Sequence, residues 1–313
     1  MLQNLVLNQI ILNKIVIQKQ KYNMKTVNNL LKNILSWVIK IYLFFPKLII
    51  KLLPDYYGLK IIGSINENII LRPTLKLKDK AGNIKTFIIE VFNYDTKYRV
   101  KTFFSKEPLT LDWIDKMSEG SVFWDIGANI GLYSIYAANK GLKVIAFEPS
   151  FANYYALNRN IFFNNLHDKI KAFCIALADD DKFGTFNMAD VSLGGAFYTY
   201  DSSDLNDFYY PGMGNSKVVF RQGSVAVKID NAITNFNLEV PTYIKIDVDG
   251  IEKIIMNGGL ELLMNPVLEE ILIEINTNSD AAIIETWMHN ANFKLKAKEQ
   301  CDGEIYNYLY AKK

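Results

Sequence analysis

Residues 125 to 131 read DIGANIG, between the apolar run VFW and the run LYSIYAA. Asp125 comes first, followed by Gly127, Ala128, Asn129 and Gly131. Between a strand and a helix, such a stretch leaves backbone N–H groups free at the helix start. Its small residues let a ligand approach the main chain. Neither the dinucleotide pattern GxGxxG nor the phosphate-loop ending GK[ST] is present. A carboxylate ahead of the glycines would repel a pyrophosphate, but it can accept hydrogen bonds from an ammonium group. The next apolar run, KVIAFE, ends in Glu148, 23 residues after Asp125. That is close to the ~20-residue spacing at which an acid reaches a ribose diol. A third run, DKIKAFCIALAD, ends in Ala178 and Asp179, where an adenine would lie.

The ligand described by these positions has an amine, a ribose and no required phosphate. S-adenosylmethionine has those parts. Asp125 alone reads equally well as a helix cap and Glu148 as a solvated strand end; their combination with the glycines favours a nucleoside. A second constellation is YIKIDVDGIE, residues 243 to 252. The two-residue period of a strand puts Tyr243, Lys245, Asp247 and Asp249 on one side. Charges on a central strand are costly unless paired or functional. Lys245 and Asp247 can pair with each other, and Asp249-x-x-Glu252 also reads as a capping box. Glu274, within ILIEI, is a further acid near the same edge. No dedicated metal site is expected, and a divalent cation held by two neighbouring acids to bind a diol is the second-ranked alternative. The two cysteines, Cys174 and Cys301, and the two histidines, His167 and His289, lie in no ligand spacing.

These residues sit in a regular alternation. From about residue 120, strand-like runs alternate with helical ones: SVFWDI, GLYSIYAANKG, KVIAFE and SFANYYALNRNIFFNN, then TYIKIDVD, IEKIIMNGGLELLM, EEILIEIN and SDAAIIETWMHNAN. FKLKAKEQ and EIYNYLYAKK close the chain as two strands antiparallel to each other. Such alternation implies a mostly parallel sheet with helices on both faces, and ligands bind beyond the carboxyl ends of its strands. Residues 186 to 224 interrupt it with aromatics, Gly, Ser and Asp, a composition suited to a sugar ring, with Tyr198 and Tyr200 as candidate contacts. Residues 56 to 104 carry strand-like runs, NIILRPTLKLKD, KTFIIEVFNYD and KYRVKTFF, with a hairpin turn at AGNIK.

The N-terminus differs. Residues 1 to 54 hold eight lysines and no acid, which leaves 27 basic against 33 acidic residues in the rest. A body of that balance is a poor nucleic-acid binder, and no nucleic-acid partner is expected. On a helix over residues 29 to 53, Asn29, Lys32, Asn33, Ser36, Lys40, Lys47 and Lys51 share a ~100° arc and the remainder is apolar. Lysines and Pro46 interrupt the run, so no ~18-residue apolar span forms. The pattern suits a helix lying in a membrane interface, and packing on the protein's own core is the alternative. The cysteine usage points to a reducing compartment, so a cytoplasmic protein, peripheral at the cytoplasmic membrane face, is expected.

Together FWDIGANIGLYSIYAA, VIAFEPS, LNRNIFFNN, ALAD, YIKIDVDGIE and ILIEI resemble, in order and spacing over about residues 118 to 276, the FkbM family of S-adenosylmethionine-dependent methyltransferases. The resemblance implies a class I methyltransferase (Rossmann-like) α/β fold, a mostly parallel seven-stranded sheet whose last strand is antiparallel. Here that fold is preceded by a small β-rich unit and the amphipathic helix. It implies cofactor contacts at Asp125, Gly127, Ala128, Asn129, Gly131 and Glu148, with Lys245, Asp247 and Asp249 bordering the acceptor. It also implies O-methylation of hydroxyl-bearing sugars or related metabolites; Asn276 stands where such members more usually have a His. A sugar hydroxyl is barely acidic, so Asp247 or Asp249 is expected to accept its proton, with Lys245 orienting them. The expected segments are 1–54 (basic helical), 55–115 (β-rich) and 116–313 (methyltransferase). A nicotinamide-dependent sugar oxidoreductase and a non-catalytic, membrane-associated nucleoside-binding module are the alternatives.

Overall fold

The computed structural model describes residues 30–34, 36, 37, 40, 44, 57, 60, 63, 64, 67 and 68, then 70–78, 84–196, 198–201, 207–210, 214–277 and 280–313. The chain divides into two compact units, Met1–Ile69 and Ile70–Lys313. In the first, the described residues are helical and exposed, among them Leu30, Leu31, Ile34 and Trp37. Most of the 29–53 segment, with its membrane-interface expectation, lies outside the described residues. Among those described, no helix is long and apolar enough to cross a membrane.

The second unit opens with a hairpin, β1 (Thr74–Lys78) and β2 (Ile84–Ile88), paired from Thr74 opposite Ile88 to Lys78 opposite Ile84. The third strand expected in this region, KYRVKTFF, is instead part of a helix, α1 (Tyr94–Lys106). Its buried residues Thr96, Val100 and Phe103 fall four and three apart, the spacing of one helical face. Asn93 and Thr96 close a reciprocal capping box at its start. A second helix, α2 (Pro108–Lys116), begins at once with Pro108 in its first turn, where a missing N–H costs nothing. Residues 70–116 are therefore a hairpin and two helices rather than a β-rich unit, and they share a core with the sheet that follows. A fully buried Glu90 fastens them: Arg72 donates to it from Nε at 2.8 Å and Arg159 from Nη2 at 2.9 Å.

The chain then runs β3 (Val122–Ile126), α3 (Leu132–Asn139), β4 (Lys143–Phe147), α4 (Phe151–Phe163) and β5 (Ile170–Phe173). The third expected strand does not continue to Ala178 and Asp179. It ends at Phe173, and Ala176–Ala178 forms β6 of a separate sheet. That sheet, ordered β6-β11-β7-β8, takes β7 (Lys182–Met188), β8 (Tyr198–Asp201) and β11 (Phe220–Lys228). Between β8 and β11 a small pair, β9 (Asp207–Tyr210) and β10 (Gly214–Lys217), stands alone. The interruption of the alternation is thus a β insertion.

After α5 (Ile229–Thr234) come β12 (Tyr243–Ile246), α6 (Glu252–Asn257), α7 (Leu260–Met264), β13 (Glu270–Asn276), α8 (Ala281–Asn290), β14 (Phe293–Asp302) and β15 (Ile305–Lys312). The main sheet is ordered β14-β15-β13-β12-β3-β4-β5. β3, β4, β5, β12 and β13 pair in parallel, and β15 runs antiparallel to both β13 and β14. This is the mostly parallel, seven-stranded class I sheet with an antiparallel last strand. Every residue of β3 is buried, as a central strand covered on both faces must be. Phe123, Ile135 and Leu157 belong to the core on one face, and Trp124, Ile244 and Met288 to that on the other.

Candidate active site

The carboxyl ends of β3, β4, β12 and β13 open into a cavity of about 910 Å³. Its rim comes from the α1–α2 junction and from the β insertion. Of the residues singled out in the sequence, Gly127, Ala128, Asn129, Glu148, Lys245, Asp247 and Asp249 line it, as do Tyr198, Tyr200 and Glu274. Asp125, Gly131, Ala178 and Asp179 do not.

Asp125 is 1 % exposed and lies beneath the loop that follows it. Its Oδ2 accepts a hydrogen bond from Ser134 Oγ in α3 at 2.5 Å, while Oδ1 has no hydrogen-bond partner among the described residues. Burial raises its proton affinity, against the nearby Lys245 ammonium. Both glycines of the loop are dictated by packing. Gly127 has φ +86°, and a Cβ there would stand 1.9 Å from the backbone oxygen of Asp247. Gly131 has φ +85°, and its Cβ would meet Leu157 Cδ1 at 2.3 Å. The first lets β12 close against the loop and the second lets α4 close against α3. Ala178 ends β6 of the second sheet and Asp179 follows it, and Ile175, Ala176 and Leu177 line the cavity in their stead.

Glu148 is buried, and both of its oxygens are held by the main chain. Oε2 accepts the Asn129 N–H at 2.7 Å and Oε1 the Ser150 N–H at 2.9 Å. Burial pushes this carboxyl up to about 7 despite those donors. Asn129, at φ 51°, also donates from Nδ2 to the Gly195 carbonyl at 2.8 Å, which ties the loop to the β insertion.

On the other side, Lys245 Nζ stands 2.5 Å from Asp247 Oδ2 and 4.9 Å from the centre of the Tyr133 ring. Lys245 is 1 % exposed, whereas the Asp247 side chain is 26 % exposed. Burial alone would lower Lys245 and raise Asp247. The charges reverse both directions, with Asp247, Glu107 and Asp125 raising the lysine, and Lys245 and Lys106 lowering the aspartate. The capping-box reading of Asp249 does not hold. Ile251 precedes α6 as its cap residue, and no side chain caps the helix. Glu252 instead accepts the N–H groups of Val248 at 3.2 Å and Gly250 at 3.1 Å, which holds Asp249 in a left-handed turn at φ 62°.

Sequence reasoning missed the contribution of α1 and α2. Arg99, Lys106 and Glu107 line the cavity, and Lys106 pairs with the buried Glu107 at 3.2 Å. Arg99 donates to the Gly194 carbonyl at 2.7 Å. The available signal was the helical spacing of Thr96, Val100 and Phe103. Among the described residues no cluster of three or more metal-ligating side chains forms.

Against this geometry, residues 125–295 match the Methyltransferase FkbM domain. The chain belongs to the FkbM methyltransferase family. The matched stretch runs from the start of the glycine loop into β14, so it holds every candidate residue except those of α1 and α2. Among curated proteins the methyltransferase is similar to the hexuronic acid methyltransferase AglP of Haloferax volcanii. They are 22% identical over 229 residues, 67% of this chain and 85% of that protein. Among solved structures it is similar to an FkbM methyltransferase from Methylobacillus flagellatus KT, with a TM-score of 0.44 and 15% identity, over 63% of this chain and 44% of that one. It is also similar to a precorrin-6y C5,15-methyltransferase from Geobacter metallireducens, with a TM-score of 0.39 and 12% identity, over 66% and 87% of the two chains.

Proposed function

We propose that this methyltransferase uses S-adenosylmethionine to methylate a hydroxyl oxygen of a sugar or glycan. The observation that carries the cofactor assignment is Glu148, a buried carboxyl at the end of the second parallel strand, facing the cavity and fixed by two backbone N–H groups. A carboxylate oxygen has more than one lone pair, so each can still accept a ribose hydroxyl. The residues present fit the rest of that group. Ile175, Leu177 and Phe147 offer apolar walls to an adenine, and the 127–130 backbone offers close approach to the methionine arm. Bound there, the cofactor would supply a methyl already activated on a sulfonium. What the chain must add is alignment of an acceptor oxygen and a place for its proton.

The acceptor half suits a polyol. Asp95, Asp190, Asp247 and Asp249 line it with hydrogen-bond acceptors, and Tyr198 and Tyr200 add aromatic walls. This preponderance of acids favours a neutral hydroxyl over a carboxylate at the point of transfer. A similar protein acts on a hexuronic acid, which carries hydroxyls and a carboxylate on one ring. Lys245, Asp247 and Asp249 border this acceptor, with Lys245 orienting Asp247. A lipid-linked glycan becomes an attractive acceptor if residues 29–53 lie on an anionic membrane; sedimentation of the full chain with anionic vesicles, lost in Lys40→Glu/Lys47→Glu, tests that contact.

Calorimetry with S-adenosylhomocysteine tests the cofactor. Saturable binding by the full chain, weakened at least tenfold in Glu148→Ala, is expected. A folded wild-type chain that does not bind it overturns the assignment. Transfer of labelled methyl to glucuronic acid and to methyl glucopyranoside then separates ester from ether formation.

A further inference from the structure

Several acids reach the acceptor half of the cavity, and most of them are already engaged. Asp247 is held by Lys245. Glu107 is paired with Lys106 and accepts from Thr110 Oγ1 at 3.3 Å. Glu252, which does not line the cavity, receives two backbone N–H groups beside it. Glu274 differs: it lines the cavity, and its carboxyl has no hydrogen bond or ion pair among the described residues.

Its placement follows from strand register. Ile246 of β12 pairs with Ile273 of β13, so Asp247 and Glu274 are the next neighbours across these strand ends. On its other side Glu274 pairs with Asn307 of β15, which in turn pairs with Glu299 of β14. One edge of one sheet face thus reads Asp247, Glu274, Asn307, Glu299. Like charges side by side in a sheet repel, and one of two neighbouring carboxyls then holds its proton more tightly. Asn307 brings no compensating charge, and its buried amide has no partner at either atom among the described residues.

We propose that Glu274 accepts the proton of the hydroxyl that is methylated, and that Asp247, locked by Lys245, positions the acceptor. This rests on the hydroxyl-acceptor reading above. As the acceptor oxygen forms its bond to the methyl carbon, the methyl–sulfur bond breaks with its electron pair on sulfur, and the hydroxyl proton passes to a Glu274 oxygen. The charged and titratable groups facing Glu274 are Asp247, Asp249 and Glu252 from the segment after β12, Glu107 and Lys106 from the α1–α2 junction, and the neutral Cys301 thiol from β14. Burial, then Asp247, Glu252, Asp249 and Glu107 in turn, hold Glu274 well above the ordinary glutamate range. Asp247 is held below its own range. A base of raised proton affinity takes a proton from a weakly acidic hydroxyl better than a carboxylate stabilised by an ammonium.

The first test needs no acceptor. Infrared difference titration of the full chain should show carboxylic acid signals that persist above the ordinary glutamate range, from Glu148, Glu252 and Glu274, and the one that persists to the highest pH should disappear in Glu274→Gln. In Asp247→Asn, which removes the neighbouring negative charge, the same signal should move to lower pH. A Glu274→Gln titration that matches wild type overturns the proposal. The second test uses labelled S-adenosylmethionine with glucuronic acid and methyl glucopyranoside as probes. Glu274→Gln should lose about 10²–10⁴-fold in turnover with S-adenosylhomocysteine affinity unchanged, and Glu274→Asp should recover part of it. Asp247→Asn should lose less and shift the acidic limb of the pH profile downward. Turnover of Glu274→Gln within threefold of wild type overturns the assignment. Failure of wild type to bind S-adenosylhomocysteine, or to methylate either probe, strikes the cofactor or sugar reading instead, while the titration still decides Glu274.

Discussion

The two halves of the cavity, each taken with the strand ends beneath it, treat their acids in opposite ways. On the β3–β4 side, Asp125 and Glu148 are held by neutral donors, a serine hydroxyl for one and two backbone N–H groups for the other. On the β12–β13 side, Asp247 is held by a cation, and Glu274 has no partner among the described residues. Neutral donors fix a carboxylate in space without fixing its charge, and burial then raises both acids. An ammonium fixes the charge as well, which lowers Asp247. The first half holds its acids in place whatever their charge, and the second sets one carboxylate locked by a cation beside one that has no partner among the described residues.

The comparison breaks most severely at the point where the halves touch. Gly127 lets the first half close on the backbone of Asp247, and no side chain fits there. Gly127→Ala adds an unfavourable φ to a backbone clash and should cost more than about 3 kcal/mol. Urea denaturation measures it, and S-adenosylhomocysteine binding should be lost along with the stability. A variant as stable as wild type would mean that the loop re-forms elsewhere and that the halves are not coupled through it.

Next in size is the ion pair. Lys245→Met leaves the Asp247 carboxylate without its cation. Losing one partner of a fully buried pair costs about 3–5 kcal/mol, and the partial exposure of Asp247 should bring this to about 2–3 kcal/mol. The sign with pH follows from the lowered aspartate. Its stabilisation is complete above the ordinary aspartate value and is lost as pH falls through the lower folded value. The gap between wild type and Lys245→Met should therefore close in acid, stay constant from neutral pH up to the ordinary lysine value of 10.5, and narrow again above it, where the unfolded lysine loses its proton before the raised Lys245 does.

The first half has the opposite dependence. Glu148 is raised by burial to about 7, from an ordinary 4.5, and Glu252, after β12 and outside this half, is raised to the same value. Between those values the folded chain binds more protons than the unfolded one, so stability is greatest at the acid end and falls as pH rises through about 7. The slope is on the order of 1 kcal/mol per pH unit for each group. Affinity for S-adenosylhomocysteine should run the other way, rising with pH as Glu148 ionises to receive the ribose. Thermal denaturation and calorimetry across pH 5 to 8 measure the two. Parallel trends would argue that Glu148 does not meet the ribose.

The unequal legibility of the halves in the sequence has a physical origin. The first half is written in local spacing: an apolar run, an acid, two glycines, and a second acid 23 residues on. Even there the glycines mean something other than open room for a ligand, since each answers a neighbouring chain segment that composition does not reveal. The extension of the third strand to Ala178 failed because Cys174 and Ile175 carry the chain into a second sheet with no Gly or Pro to mark the change. The second half depends on pairing between distant strands. That Glu274 stands beside Asp247 and Asn307 is a matter of register, and Lys106 and Glu107 arrive on helices whose aromatic and β-branched residues read as strand.

The smallest effect bears on the β insertion that roofs both halves. Tyr198 lines the cavity, but its hydroxyl is buried without a hydrogen-bond partner among the described residues. Removing an unsatisfied buried hydroxyl relieves the desolvation it suffers on folding and leaves no partner unpaired. Tyr198→Phe should therefore leave stability unchanged or raise it by up to about 1 kcal/mol. S-adenosylhomocysteine affinity should be unchanged as well, since Glu148 and the glycine loop do not rely on that oxygen. If sugar methylation nevertheless falls tenfold or more, the missing partner of the Tyr198 hydroxyl is the acceptor itself. The insertion then belongs to the second half, recognising a ring by its hydroxyls. An unchanged turnover would confine Tyr198 to packing against Phe186, whose ring centre is 5.5 Å away. It would leave recognition of the acceptor to the carboxyls at the strand ends.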